Sequence, residues 1–166
     1  MKEQLDSMQK DDYHDDLTGL PNRRLFTERL DNRIVHCQRY GDISALLFVD
    51  IDNLESVNDA YGHAAGDLMV IRLSQLLNAS VESSDVAARI GSNIFALLLD
   101  NLDADQVERK IAFLIDRIKS ADCKYQDVTL PFRASIGYCF IGPKDSVDGL
   151  MSRADAAMYR SQGSFD

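Results

Sequence analysis

The stretch VAARIGSNIFALLL (86–99) sets two strand-like apolar runs on either side of Gly91-Ser92. Gly at the first central position of a two-residue connection supplies the positive φ of a type II′ turn, so the spacing predicts a β-hairpin. Upstream, SALLFVDID (44–52) is an apolar run of strand length that finishes in two acids, the pattern of a central strand buried on both faces. Downstream, residues 132–140 alternate, with Phe132, Ala134, Ile136, Tyr138 and Phe140 on one side and Arg133, Ser135, Gly137 and Cys139 on the other. That reads as a half-buried strand.

Helical periodicity fills the intervals. Phe26, Leu30, Ile34 and Cys37 recur at helical spacing after the turn residues of DDLTGLPNRR (15–24), and Tyr40-Gly41-Asp42 ends that helix. A second helix runs from Gly62 to Asn78, with Ala65, Met69, Leu73 and Leu76 on one side. Val107, Ile111, Leu114 and Ile118 mark a third. Val147, Leu150 or Met151, Ala154 and Met158 mark the last. The predicted order is helix, strand, helix, hairpin, helix, strand, helix. A hairpin within an alternating α/β pattern implies a single α/β domain with a central mixed or antiparallel sheet flanked by helices. Residues 1–14 are polar and read as a lead-in helix or the end of a linker, and residues 15–166 as the domain itself.

Composition narrows the partners. The 166 residues carry 27 acids and 18 bases, a formal charge of −9. Such a field repels phosphate backbones and anionic lipid, which argues against nucleic acid or a membrane surface as partner. It also opposes a nucleoside triphosphate unless local cations offset it. Cys37, Cys123 and Cys139 have neither metal nor disulfide spacing and fit buried thiols of a reduced, cytoplasmic chain. No apolar run approaches the ~20 residues that span a bilayer, and the first ten residues lack the apolar stretch of a signal peptide.

Four stretches, in order and in register, carry a resemblance: DDLTGLPNRR (15–24), DIDNLESVNDAYGHAAGD (50–67), DVAARIGSNIF (85–95) and ADAAMY (154–159). Together they resemble the GGDEF, or diguanylate cyclase-like, family. The resemblance implies a palm-like fold similar to nucleotidyl cyclases. It implies a chemistry in which two facing domains each hold a GTP and two divalent metals stabilise the attacking and leaving oxygens. By position, Asp50 matches a metal-binding Asp, while Asn58 and Asp67 match the pair that reads the guanine edge. His63, by the same resemblance, is expected to pack and to make a backbone hydrogen bond. Arg89 is expected to form a salt bridge, and Asp155 to organise the final helix.

The chain departs from the pattern at the hairpin. Where the family reads Gly-Gly-Asp/Glu-Glu-Phe, this sequence reads Gly91-Ser92-Asn93-Ile94-Phe95. Asn93 is a weak magnesium ligand and Ile94 offers no ligand atom. Leu54-Glu55 replaces a usual Phe-Lys, Gln162 stands in place of a phosphate-binding lysine, and Glu82-Ser83-Ser84-Asp85 replaces the Arg-x-x-Asp of the product-inhibition site.

These departures lead to the expectation of no catalytic residues and no enzyme activity. The domain is then a regulatory or interaction module in cyclic di-GMP signalling that binds GTP weakly, needs no cofactor and holds magnesium weakly through Asp50. Alternative readings are a scaffold or dimerisation domain without nucleotide, or an active cyclase with unusual ligands. Expected partners are a neighbouring sensor or cyclic di-GMP phosphodiesterase domain, another signalling protein, or a second copy of the chain.

Overall fold

A computed structural model of the chain describes residues 11–160. The elements are α1 (Arg23–Tyr40), β1 (Ser44–Ile51), α2 (Leu54–Tyr61), α3 (His63–Ala79), β2 (Val86–Arg89), β3 (Ile94–Leu99), α4 (Ala104–Ser120), β4 (Lys124–Tyr125), β5 (Val128–Thr129), β6 (Ala134–Ile141) and α5 (Val147–Arg160). The main sheet has four strands in the order β2-β3-β1-β6. Every pairing in it is antiparallel.

β1 is the axis of this sheet because its side chains are apolar on both faces. Ala45, Leu47, Val49 and Ile51 enter a core shared with α2, α3 and α4. Leu46 and Phe48 enter a second core shared with α1 and α5. The sheet is thus a wall between two hydrophobic layers, as the uninterrupted apolar run requires.

The helices begin and end where local chemistry allows. Asn22 caps α1 by accepting from the Leu25 N–H at 3.1 Å. Gly41 closes it in the left-handed conformation at φ 73°. α4 opens with a reciprocal capping box between Asp103 and Gln106. The residues expected to face inward from these helices do so, including Phe26, Leu30, Ile34, Cys37, Val107, Leu114, Ile118, Leu150, Met151, Ala154 and Met158.

Several local expectations are corrected. The hairpin is not a two-residue type II′ turn. The N–H groups of Ile90 and Gly91 both donate to the Ile94 carbonyl, which leaves Gly91, Ser92 and Asn93 as a wider tip. Gly91 does not adopt the positive φ that a II′ turn needs; Gly19, Gly41 and Gly62 are the described glycines that do. Residues 54–61 form a short helix of their own, turned away from α3 by Gly62 at φ 94°. A small hairpin, β4–β5, turns through Gln126 and Asp127, both at positive φ. Residues 11–14 form a turn, with His14 bridged to Pro21, rather than a helix. The remainder of the lead-in, 1–10, lies outside the described residues, as does Gln162.

β6 also differs from a half-buried strand. Ser135 and Gly137 are buried, because α5 lies directly on that face. A Cβ on Gly137 would come within 2.0 Å of the Met158 backbone nitrogen. Small residues at 135 and 137 are therefore what permits helix-to-strand contact. Among the described residues no helix is long and apolar enough to cross a membrane.

Because the obstruction at Gly137 is backbone, Gly137→Ala is expected to destabilise the domain by about 3 kcal/mol or more, beyond ordinary overpacking of a core. Chemical denaturation should show this as a lower midpoint with an unchanged slope. A wild-type midpoint would refute the close packing of α5 on β6.

Candidate nucleotide site at the strand end and the hairpin tip

Asp50 occupies the exit of β1, paired across the sheet with Ile94 on one side and Ser135 on the other. The hairpin tip therefore lies directly against it. Asn93 donates its side-chain Nδ2 to Asp50 Oδ1 at 2.6 Å and to the Ile51 carbonyl at 3.3 Å. The Asn93 carbonyl in turn accepts from the Ile51 N–H at 2.9 Å. Ile94, directly across the sheet from Asp50, packs against the α1/α5 core.

Two further acids surround Asp50. Asp52 leaves the strand two residues later and accepts from Ser135 Oγ at 2.7 Å. Asp155 projects from α5. Burial, then the charge of Asp52 and a hydrogen bond with it, raise the pKa of Asp50 to about 6, with Asp155 adding to the effect. The Asn93 amide opposes the shift by donating to the carboxylate. Asp50 is thus a half-buried acid between two exposed ones, with Asn93 donating to it and Ser135 to Asp52.

A second cluster forms at the corner between α2 and α3. Asn58, on the last turn of α2, holds that turn with its carbonyl, which accepts from the Gly62 N–H at 2.9 Å. Its side chain lies over Gly66, where a Cβ would come within 1.7 Å of Asn58 Oδ1. That oxygen is buried and has no hydrogen-bond donor. Asp67, the residue after Gly66, is exposed beside it. Asn58 and Asp67 are thus brought to one corner, as their matched positions implied.

The other expected positions have structural employment. Arg89 pairs with Asp15 at 3.2 Å and donates to the Ser92 carbonyl at 2.7 Å, tying the Asp15 loop to the hairpin. Asp85 accepts from the backbone N–H groups of Asp100 at 2.9 Å and Glu82 at 3.0 Å, so its carboxylate organises the turn before β2. His63 is exposed at the first position of α3, so it does not pack as expected. The roles of Asp52, Asp155 and the Asn93 donor at the Asp50 carboxylate were not anticipated. The doublet Asp50-x-Asp52 was the available signal, since alternate strand residues share a face.

The acids do not make a magnesium site as they stand. Among the described residues no group of three or more His, Cys, Asp or Glu side chains is arranged to hold a metal ion. Magnesium asks for oxygen ligands in a tight octahedron. Here the group contributed by the hairpin is an N–H donor aimed at the oxygen a cation would need.

An antiparallel palm with an acidic strand end, a hairpin against it and an amide–carboxylate corner beside it defines a nucleotidyl cyclase-like class of domain. The model for "Diguanylate cyclase, GGDEF domain" matches residues 12–164, and the chain belongs to that family. It is 37% identical over 150 residues to the bifunctional diguanylate cyclase/cyclic di-GMP phosphodiesterase MucR of Pseudomonas aeruginosa, covering 90% of this chain and 22% of that protein. It is 33% identical over 156 residues to diguanylate cyclase DgcP of Escherichia coli, covering 90% of this chain and 44% of DgcP. The chain therefore spans less than half the length of either relative. Among solved structures, the GGDEF domain of DgcB from Caulobacter crescentus in complex with c-di-GMP superimposes with a TM-score of 0.87 at 28% identity, over 92% of this chain and 91% of that one.

These relatives correct one expectation. The altered hairpin led to the reading that the domain is not an enzyme, but the similar proteins are named diguanylate cyclases, and this points to a cyclase.

The electrostatics of Asp50 give a pH signature. Its folded-state pKa of about 6 lies above the ordinary 3.8, so the fold prefers the protonated acid. Its contribution to stability is fully present below the ordinary value and is lost as pH rises through about 6. Asp50→Asn stays neutral throughout and keeps an acceptor for Asn93. It is expected to melt a few degrees above wild type near pH 8 and to lose that advantage near pH 4. An equal difference at both pH values would show that Asp50 is not the strained group.

Proposed function

We propose that the chain is a guanine-nucleotide-binding domain of the diguanylate cyclase class, acting in cyclic di-GMP signalling with GTP as its ligand. The observation that carries this reading is the placement of the Asn58 amide and the Asp67 carboxylate at one corner between α2 and α3. Both offer acceptors, and the guanine edge presents the N1–H and N2–H donors that suit them. Adenine would turn a lone pair toward the same groups, which a site built for hydrogen bonding rejects.

The triphosphate end contributes less. Glu55 is exposed at the start of α2 and Asp50, Asp52 and Asp155 cluster at the neighbouring strand end, so the local charge opposes phosphate. In this reading the base supplies the affinity, and condensation of two GTP molecules is slow. The partners are the domains that accompany it: MucR combines cyclase and phosphodiesterase in one protein, and SiaD is held by an activator, SiaC. A sensor or phosphodiesterase neighbour, or a second copy of the chain, fills that role here.

Titration followed by NMR shifts is expected to give GTP binding that is selective over ATP, with GDP within about threefold of GTP because few contacts reach the γ-phosphate. Asp67→Ala should erase the base preference. Gly66→Ala, which displaces Asn58, should weaken GTP while leaving the fold intact. Equal shifts with ATP and GTP, or none, would replace this reading with that of an interaction domain. In the same samples cyclic di-GMP formation is expected to be lost in Asp50→Ala and to rise by roughly tenfold or more in Asn93→Asp, which returns an acid to the hairpin tip. Chromatography against a no-protein control measures both.

A further inference from the structure

We propose that the Asn93 side-chain amide is a built-in occupant of the cation position, a neutral plug that must leave Asp50 before any divalent metal can bind there. Three contacts support it. One nitrogen, Nδ2, spans Asp50 Oδ1 and the Ile51 carbonyl, two oxygens that face the same point. The backbone pair between Ile51 N–H and the Asn93 carbonyl at 2.9 Å fixes the tip so that the side chain has little choice of direction. The flanking strand pairings, Asp50 with Ile94 and Asp50 with Ser135, hold the carboxylate itself in place.

The chemistry follows from what an amide N–H₂ can do. It offers two hydrogens and so can satisfy a carboxylate and a carbonyl at once, as a small cation would, without bringing charge. The neighbouring acids, Asp52 from the end of the same strand and Asp155 from α5, then lack the counter-charge a metal would supply. The Ser135 hydroxyl satisfies Asp52 instead. Asn93 is thus more than a poor ligand. A poor ligand merely fails to help a metal bind, whereas a plug competes with it.

That distinction makes the proposal testable without nucleotide. It rests on reading this end as the phosphate end of the proposed GTP site, but the test is metal binding to the free chain, so its failure leaves the guanine selectivity untouched. Manganese titration read by electron spin resonance compares wild type, Asn93→Ala and Asn93→Asp. If the amide is a plug, removing it in Asn93→Ala exposes Asp50 and tightens manganese binding by roughly tenfold. Asn93→Asp tightens it further, and adding Asp50→Ala to Asn93→Ala cancels the gain. Wild-type binding equal to or tighter than that of Asn93→Ala would overturn the proposal.

A second measurement uses the wild-type chain alone, in case Asn93→Ala unfolds. The Asn93 side-chain amide resonances should keep their positions in about 1 mM magnesium, because the plug holds against a weakly bound cation. Their displacement at that concentration, with manganese broadening them at a tenth of it, would show that the amide yields freely and would equally overturn the idea.

Discussion

The burial of β1 on both faces governs the rest of the molecule. A strand that sends Leu47 and Val49 into one core and Leu46 and Phe48 into another must be paired on both edges, and β3 and β6 supply those pairings. Once both edges are taken, the residue at the strand's exit has no lateral freedom. Asp50 is held between the hairpin tip and Ser135, and every polar group that can reach it is chosen by the sheet register rather than by side-chain flexibility. A shift of one residue in the β1–β3 pairing would remove Asn93 from the Asp50 carboxylate.

That rigidity explains why one substitution at the tip matters. In solution, a carboxylate next to two others relaxes by moving or by drawing in ions. Here Asp50 cannot move, Asp52 is committed to Ser135, and Asp155 is carried on a helix packed tightly onto β6 through Gly137. The remaining options are a proton, a cation or a hydrogen-bond donor. The elevated proton affinity of Asp50 and the short contact from Asn93 are two answers to the same repulsion, and they oppose each other, since the amide donation lowers the proton affinity that burial and Asp52 raise. The Asn58–Asp67 corner is independent of this tension: it is built from the α2–α3 turn, with Gly62 reversing the chain and Gly66 giving Asn58 room.

Most of the fold was readable from periodicity. The continuous apolar run of β1, the helical spacing in α1, α4 and α5 and the paired runs around residue 91 all correspond to elements, because each carries its burial pattern within itself. What escaped depended on partners elsewhere. The short α2 has only Leu54 and Val57 buried, too few to announce a helix. The buried small-residue face of β6 looks polar in isolation, since Ser135 and Gly137 become core only when α5 covers them. The hairpin tip reads as a two-residue turn in sequence and becomes wider because Asn93 is drawn back onto β1. At the site, motif register placed Asp50, Asn58 and Asp67 in their regions of the fold. The donor role of Asn93 could not be read, because it depends on a strand pairing 43 residues away in sequence.

The altered tip also shows why ligand counting led to the expectation of no enzyme activity, which the relatives named diguanylate cyclases correct. Replacing two acids by Asn93 and Ile94 removes two negative charges from a site that still holds three carboxylates in a chain of net charge −9. Viewed as a metal site, that is a loss. Viewed as a folded strand end, it relieves repulsion: a third and fourth acid beside Asp50 without bound metal would raise the electrostatic cost of closing the hairpin against β1. Ile94 takes the apolar alternative by packing into the α1/α5 core, and Asn93 takes the polar one by donating to Asp50. Ile94 lies directly across the sheet from Asp50 on the α1/α5 side, so the two replacements fill the same side of one strand end.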